Sequence, residues 1–251
     1  LKYYVEAIDA VRKNFDPEKA KKTYEEAIEK WKVAVELAKK DNKPLPKQPG
    51  APQVPGSSAG SASGLFNAMI NPLVPYAFKG AIWYQGESNG PTAGKYFALM
   101  RTLIRDWRQA WGGGDFPFLF VQLANYGKPQ TEPLGKESIA LVREGQLRTL
   151  TVPNTGMAVA TDIGDAENIH PKNKQELGRR LALVAEALVY HRPIAFSGPI
   201  FDSIDDEGKS LRIHFKHAER GLVARGDTLT GFAIAGEDHK FVWADARIEG
   251  D

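Results

Sequence analysis

The chain contains no cysteine. Disulfide staples, thiolate zinc sites and thiol nucleophiles are therefore excluded, while the redox compartment stays open. Long apolar runs are missing too: no stretch approaches the roughly 20 residues needed to span a bilayer. A bias towards one sign of charge is also lacking, since 33 Lys and Arg stand against 31 Asp and Glu for a formal net charge of +2. That balance makes no electrostatic case for nucleic acid, which is usually met by a basic face or stripe. The chain does not open with a signal peptide, because Leu1-Lys2-Tyr3-Tyr4 leads into charged sequence where an apolar segment would be needed. It also lacks a starting Met, so the natural N-terminus is expected further upstream. What is present is ordinary globular composition, 42% hydrophobic and 25% charged over 251 residues, enough for one large domain plus a smaller appendage.

Residues 1–48 read as a charged helical segment. Ala20, Tyr24, Ala27, Trp31, Ala34 and Ala38 recur at steps of three and four, one apolar stripe on a long helix. Asp16-Pro17-Glu18 supplies its start, with Asp16 as N-cap and Pro17 in the first helical position. The stripe predicts a surface helix packed on a core; a partner-binding helix is the less favoured reading. Residues 49–64 read as a Pro/Gly/Ser-rich loop, extended first and then flexible.

From 65 to 192 the texture becomes regular. Leu65–Phe78 reads as helical with a break near Pro72, Ala81–Tyr84 as a short buried strand, and Tyr96–Trp111 as a helix with Leu99, Leu103, Trp107 and Trp111 on one face. Phe116–Leu123 and Met157–Thr161 are further strands; Lys136–Leu150 and Lys174–Tyr190 are further helices. Short apolar strands alternating with amphipathic helices predict an α/β fold with a parallel sheet covered on both faces. Ligands of such sheets bind beyond the carboxyl ends of the strands, which selects Gln85–Asn89, Gln122–Tyr126 and Asp162–His170. Residues 193–251 change to an antiparallel β texture, with Leu211–Phe215, Phe232–Ile234 and Phe241–Trp243 as strands. This predicts a small, incomplete, sandwich-like β module.

In Trp83-Tyr84-Gln85-Gly86-Glu87-Ser88-Asn89, polar groups and a glycine follow an apolar strand directly. Gln85 and Asn89 carry amide donors of the kind that stabilise a developing oxyanion. Gly86 permits close backbone approach, and Glu87 can orient a neighbour or anchor the loop. The plainer reading is an ordinary strand-to-helix turn capped by Ser88 or Asn89. In Asp162-Ile163-Gly164-Asp165-Ala166-Glu167-Asn168-Ile169-His170-Pro171, three carboxylates, Asp162, Asp165 and Glu167, precede a histidine. A histidine base needs an acid to hold its tautomer and stabilise the imidazolium, so His170 with these acids is a candidate catalytic pair. No metal or other cofactor is expected: His191, His214, His217 and His239 fall in regions unconnected with this loop, and metal-assisted hydrolysis is the weaker reading.

The nucleophile is harder to place. Gly56-Ser57-Ser58-Ala59-Gly60 fits the Gly-x-Ser-x-Gly pattern, but that elbow requires a strand to deliver the serine into a strained turn. The proline-rich residues before it cannot form a central strand, so Ser58 is rejected. Ser88 is rejected as well, because it sits in the oxyanion segment.

Four segments, in order, resemble the sialate O-acetylesterase family, a branch of the SGNH (GDSL-like) hydrolases. They are Leu65-Phe66-Asn67-Ala68-Met69-Ile70-Asn71-Pro72-Leu73, Gly80–Asn89, Phe116–Tyr126, and Ile169-His170-Pro171-Lys172-Asn173-Lys174-Gln175-Glu176-Leu177-Gly178-Arg179-Arg180. The resemblance implies a three-layer α/β/α, flavodoxin-like domain with a serine triad that removes acetyl groups from sugar hydroxyls. It implies His170 as the base and Gln85 as an oxyanion donor, with Asn89 a weaker second. The wider superfamily usually places an Asp three residues before the His, where this chain has Glu167; Asp162 and Asp165 resemble the acids that this branch carries in the loop, so all three stay open. The resemblance implies a nucleophilic serine in an early block that this chain does not contain, and the serine is expected upstream. The expected partner is an acetylated sugar or glycan, with no nucleic acid and no membrane span; oligomeric state and compartment are not given by the sequence. Members of the family are often exported, so the resemblance points to a secreted or periplasmic setting.

The alternative is a non-catalytic carbohydrate-binding relative that keeps the pocket without the nucleophile. Trp83, Tyr84 and Tyr126 would then stack on sugar rings, although aromatic residues in strands more often belong to the core.

Overall fold

A computed structural model describes residues 9–55, 63–74, 76–133, 138–226 and 228–250. The Gly56–Gly60 elbow, the first residues of the N-terminal segment and the Lys136–Glu137 start of a predicted helix lie outside the described residues. Two compact units emerge, Leu1–Ala77 and Phe78–Asp251.

In the first unit, helix α1 spans Pro17–Lys40, with the Asp16 carboxylate accepting from the Glu18 and Lys19 backbone N–H groups. These are orphan donors of the first turn, and the cap with Pro17 at the start is what the sequence predicts. The Ala20–Ala38 stripe is the half-buried side of the helix. The proline-rich segment returns along α1, where the Trp31 indole donates to Pro46 O at 2.9 Å. The expected helix with its break near Pro72 is present in irregular form, a π-helix over Phe66–Ile70 running into a 3-10 helix over Asn71–Leu73. Pro72, which can supply no backbone donor to a continuing helix, marks the change.

The second unit is organised by a parallel sheet of three strands, β1 (Ala81–Trp83), β2 (Phe118–Gln122) and β3 (Thr155–Val159), in the order β1-β2-β3. The helices are α2 (Tyr96–Trp111), α3 (Ser138–Thr149) and α4 (Lys174–Leu188). Side chains alternate across β2, so Phe118 and Phe120 join Tyr96, Met100, Ile104 and Val142 from α2 and α3 on one face. Leu119 and Val121 join Leu177, Leu181 and Val184 of α4 on the other. These are the three layers, α2 and α3, then sheet, then α4, and burial on both faces explains why β2 is almost wholly apolar.

Arg108 of α2 ties the amino edge of the sheet. Its guanidinium donates to Phe116 O, Pro153 O and Asn154 O, with Asp115 at 3.5 Å as counter-charge. Past the α/β core, β4 (Ile200–Asp206) pairs antiparallel with β5 (Leu211–Lys216), and β6 (Ala233–Ile234) with β7 (Val242–Trp243). β4 was not foreseen, because Asp202, Asp205 and Asp206 break the apolar pattern; it is exposed along nearly its whole length.

Candidate active site

The carboxyl ends of β1 and β2 are joined by one side chain that sequence reasoning missed. Gln146 of α3 is fully buried. Its Oε1 accepts from the Leu123 N–H at 2.9 Å, and its Nε2 donates to Val121 O at 3.1 Å and Gln85 O at 3.4 Å. The Tyr96 hydroxyl adds a second donor to Gln85 O at 2.8 Å. Burial, followed by the charge of Glu87, raises the Tyr84 pKa; burial is the leading cause for Tyr96 also. Both phenols therefore stay protonated at neutral pH.

Gln85 itself is set at the end of β1. One N–H of its amide donates to Asn89 Oδ1 at 2.7 Å, and the Asn89 N–H closes a turn onto Gly86 O at 2.9 Å. An amide NH2 carries two hydrogens, so among the described residues Gln85 keeps one donor and Asn89 keeps its own pair. Gly86 is buried, and a Cβ there would lie 3.2–3.3 Å from Val142, Leu123 and Tyr96 side chains. The φ of Gly86 is 154°, so a side chain here would be strained and would push those neighbours back by a few tenths of an ångström. Glu87 is half-buried and Ser88 exposed.

The Asp162–His170 loop follows β3 and is fastened to the turn after β2. Asn125 Oδ1 accepts from the Gly164 N–H at 2.7 Å, and the Gly127 N–H donates to Ala166 O at 3.0 Å. A Cβ on Gly164 would lie 2.1 Å from Asn125 O and 2.4 Å from its Oδ1, so this contact requires glycine. Within the loop, Asp165 Oδ1 accepts from the Glu167 N–H and Asn168 Oδ1 from the His170 N–H, each at 2.9 Å. His170 is exposed, while Pro171 beside it is buried and anchors the chain.

The three candidate acids are placed differently. Asp162 is held by Arg180 of α4, which also bonds Glu176 and Val159 O. The Arg180 hydrogen bonds pull the Asp162 pKa down, and hydrogen bonds from Arg179 first and Arg180 second hold Glu176 at about 2. Asp165 is half-buried and Glu167 exposed. Among the described residues, the structure brings no carboxylate into hydrogen bond with the His170 ring. It also contains no cluster of three or more His, Asp or Glu that could hold a metal ion among those residues.

Of the aromatic residues, Trp83 packs edge-on against Trp107 with ring centroids 5.9 Å apart, inside the core. The Tyr84 ring lies under Lys174 Nζ at 4.8 Å. Tyr126, 47% exposed in the turn after β2, is the most exposed of the three.

Half-buried and buried polar groups gathered at the carboxyl edge of a parallel α/β/α sheet define an α/β protein of hydrolase-like architecture. A family model for carbohydrate esterase, sialic acid-specific acetylesterase, matches residues 60–186. The chain belongs to that family. Sialate O-acetylesterase of Rattus norvegicus is 32% identical over 210 residues, covering 77% of this chain and 39% of that protein. The Mus musculus enzyme of the same name is 36% identical over 200 residues, covering 73% of this chain and 37% of its own length. The Homo sapiens protein is 31% identical over 220 residues, with 81% and 42% covered. The crystal structure of a carbohydrate acetylesterase from Xanthomonas citri superposes with a TM-score of 0.67 at 41% identity, covering 74% of this chain and 44% of that one. The chain therefore spans about two fifths of the length of the relatives it matches.

Proposed function

We propose that this chain contributes the base and the oxyanion donors of a sugar O-acetylesterase of the sialate type, whose nucleophilic serine lies in sequence upstream of it. The observation that carries the reading is the Asn125–Gly164 hydrogen bond of 2.7 Å. It fastens the His170 loop to the turn after the central strand, whose neighbour on the other side is Gln85–Asn89. Family membership supplies the reaction class.

In this mechanism the serine attacks the acetyl carbonyl and His170 takes its proton. The tetrahedral oxyanion accepts from the free Gln85 amide N–H, with Asn89 holding that amide in place. His170 then gives that proton to the sugar oxygen as its bond to the acetyl carbon breaks, and a water activated by the same ring hydrolyses the acetyl-enzyme, releasing acetate and the free serine. The acid behind His170 is one of Asp162, Asp165 and Glu167. Asp162 accepts from Arg180 on both oxygens and Asp165 from the Glu167 N–H, and each of these oxygens has a second lone pair for the His170 ring.

The test is hydrolysis of para-nitrophenyl acetate and of an O-acetylated sialic acid by the full-length protein, with His170→Ala alongside. A fall in kcat of at least about 100-fold is expected. Unchanged turnover in the variant would remove His170 from the mechanism. Saturable sugar binding without turnover by the parent protein would favour the non-catalytic reading.

A further inference from the structure

Three arginines around the sheet use their guanidinium groups to hold backbone carbonyls, and they differ in one respect. Arg108 has Asp115 at 3.5 Å, and Arg180 has Asp162 and Glu176. Arg143 of α3 donates from Nε to Leu123 O at 2.9 Å and from Nη2 to Ala124 O at 2.7 Å. No carboxylate among the described residues pairs with it. It is half-buried, and burial alone lowers its pKa from the ordinary value.

A cation partly withdrawn from water without a counter-charge carries a partial desolvation cost that a bound anion would offset. Two carbonyl bonds also leave three of the five guanidinium N–H groups without a partner among the described residues. The planar fork of arginine matches a carboxylate with two parallel hydrogen bonds, which a neutral sugar hydroxyl cannot accept in the same way.

The position is specific. Leu123 and Ala124 form the turn after β2, the middle strand of the sheet. Asn125, the next residue, holds the His170 loop through Gly164. Val142, beside Arg143 in α3, packs on Gly86 of the oxyanion segment. The guanidinium is thus anchored to the turn between the two halves of the site.

We propose that Arg143 is the specificity residue for an anionic sugar, receiving the carboxylate of a sialate-type substrate while the acetyl group is presented to Gln85 and His170. This rests on the esterase reading of the same site and adds the residue that reads the charge of its substrate.

The experiment uses the full-length protein and two substrates, an O-acetylated sialic acid and its carboxamide, which differ in one charge. The parent protein is expected to prefer the acid by about tenfold or more in kcat/KM, mainly through KM, the size of one charge-assisted hydrogen bond. In Arg143→Gln the preference should collapse towards one; in Arg143→Lys, which keeps the charge without the fork, part of it should remain. Equal use of both substrates by the parent, or an undiminished preference in both variants, overturns the proposal. Loss of folding in both variants, read by circular dichroism and thermal melting, overturns it too, because Arg143 would then be a structural tie alone. A parent protein that hydrolyses neither substrate sinks the esterase reading. Calorimetric titration with free sialic acid and its carboxamide then still measures the charge preference, and equal affinities would overturn the role given to Arg143.

Discussion

Asp162 and Arg180 meet in a two-pronged ion pair, with Nη1 2.5 Å from Oδ1 and Nη2 2.8 Å from Oδ2. Because Arg180 also donates to Val159 O at 2.8 Å, the pair pins the end of β3 to α4. Asp162 is half exposed, so solvent screens the interaction, and Asp162→Asn is expected to cost no more than about 1 kcal/mol. The folded-state pKa of Asp162 is depressed, so this stabilisation is present above the unfolded value and is lost as pH falls through the depressed one. Urea denaturation of the parent and Asp162→Asn should therefore differ by a constant amount from pH 8 to about pH 5 and converge below about pH 4. A difference that grew on acidification would contradict the pairing.

Gly164→Ala places a methyl group 2.1 Å from Asn125 O, and backbone must give way. A stability loss of about 1–3 kcal/mol is expected, with esterase activity falling further than stability because the His170 loop is displaced. Asn125→Ala removes one hydrogen bond without a clash, and about 1 kcal/mol is expected. If alanine at 164 left both urea midpoint and turnover unaltered, the clamp would have no part in positioning the loop.

Gln146→Leu tests the buried link between strand ends. The substitution leaves the Leu123 N–H without its acceptor and removes the donor to Val121 O. A buried unsatisfied group costs about 1–3 kcal/mol, so the urea midpoint should fall clearly while the m-value holds. An unchanged midpoint would show that the strand ends are held by other contacts.

Gln85→Ala removes the donor proposed for the oxyanion. Turnover of the full-length protein should drop by about 100- to 1000-fold with KM little changed. A loss confined to KM would assign Gln85 to sugar binding.

Much of the core was readable from pattern alone. The bounds of α2 are those expected, Tyr96–Trp111, because the apolar repeat ends abruptly at three glycines. Its buried face, however, is centred on Tyr96, Met100, Ile104 and Arg108, while Leu99 is 53% exposed. A helical repeat shows that a stripe exists; which residue lies at its centre depends on how the sheet meets it. β3 likewise begins and ends two residues earlier than expected, at Thr155–Val159, since pairing with β2 sets the register.

The site divides along the same line. Gln85–Asn89 and Asp162–His170 stand out in the sequence because polar residues and glycines follow apolar strands. Arg143 and Gln146 do not, since they lie three apart on a helix whose other residues suggest ordinary packing. Asn125 and Arg180 sit inside segments noticed for a family likeness, yet nothing local indicates what they hold.

What the sequence by itself determined is the alternation of short apolar strands and helices, hence a parallel sheet with its ligand edge at the strand ends. Those properties follow from local periodicity and from burial on both faces. What only the tertiary structure decided is which polar groups meet at that edge: Asp162 with Arg180, Asn125 with Gly164, Gln146 with two strands, and Arg143 without a carboxylate among the described residues. Hydrogen bonds and ion pairs depend on separations of about 3 Å between groups 18 to 61 residues apart, and no local pattern carries that information.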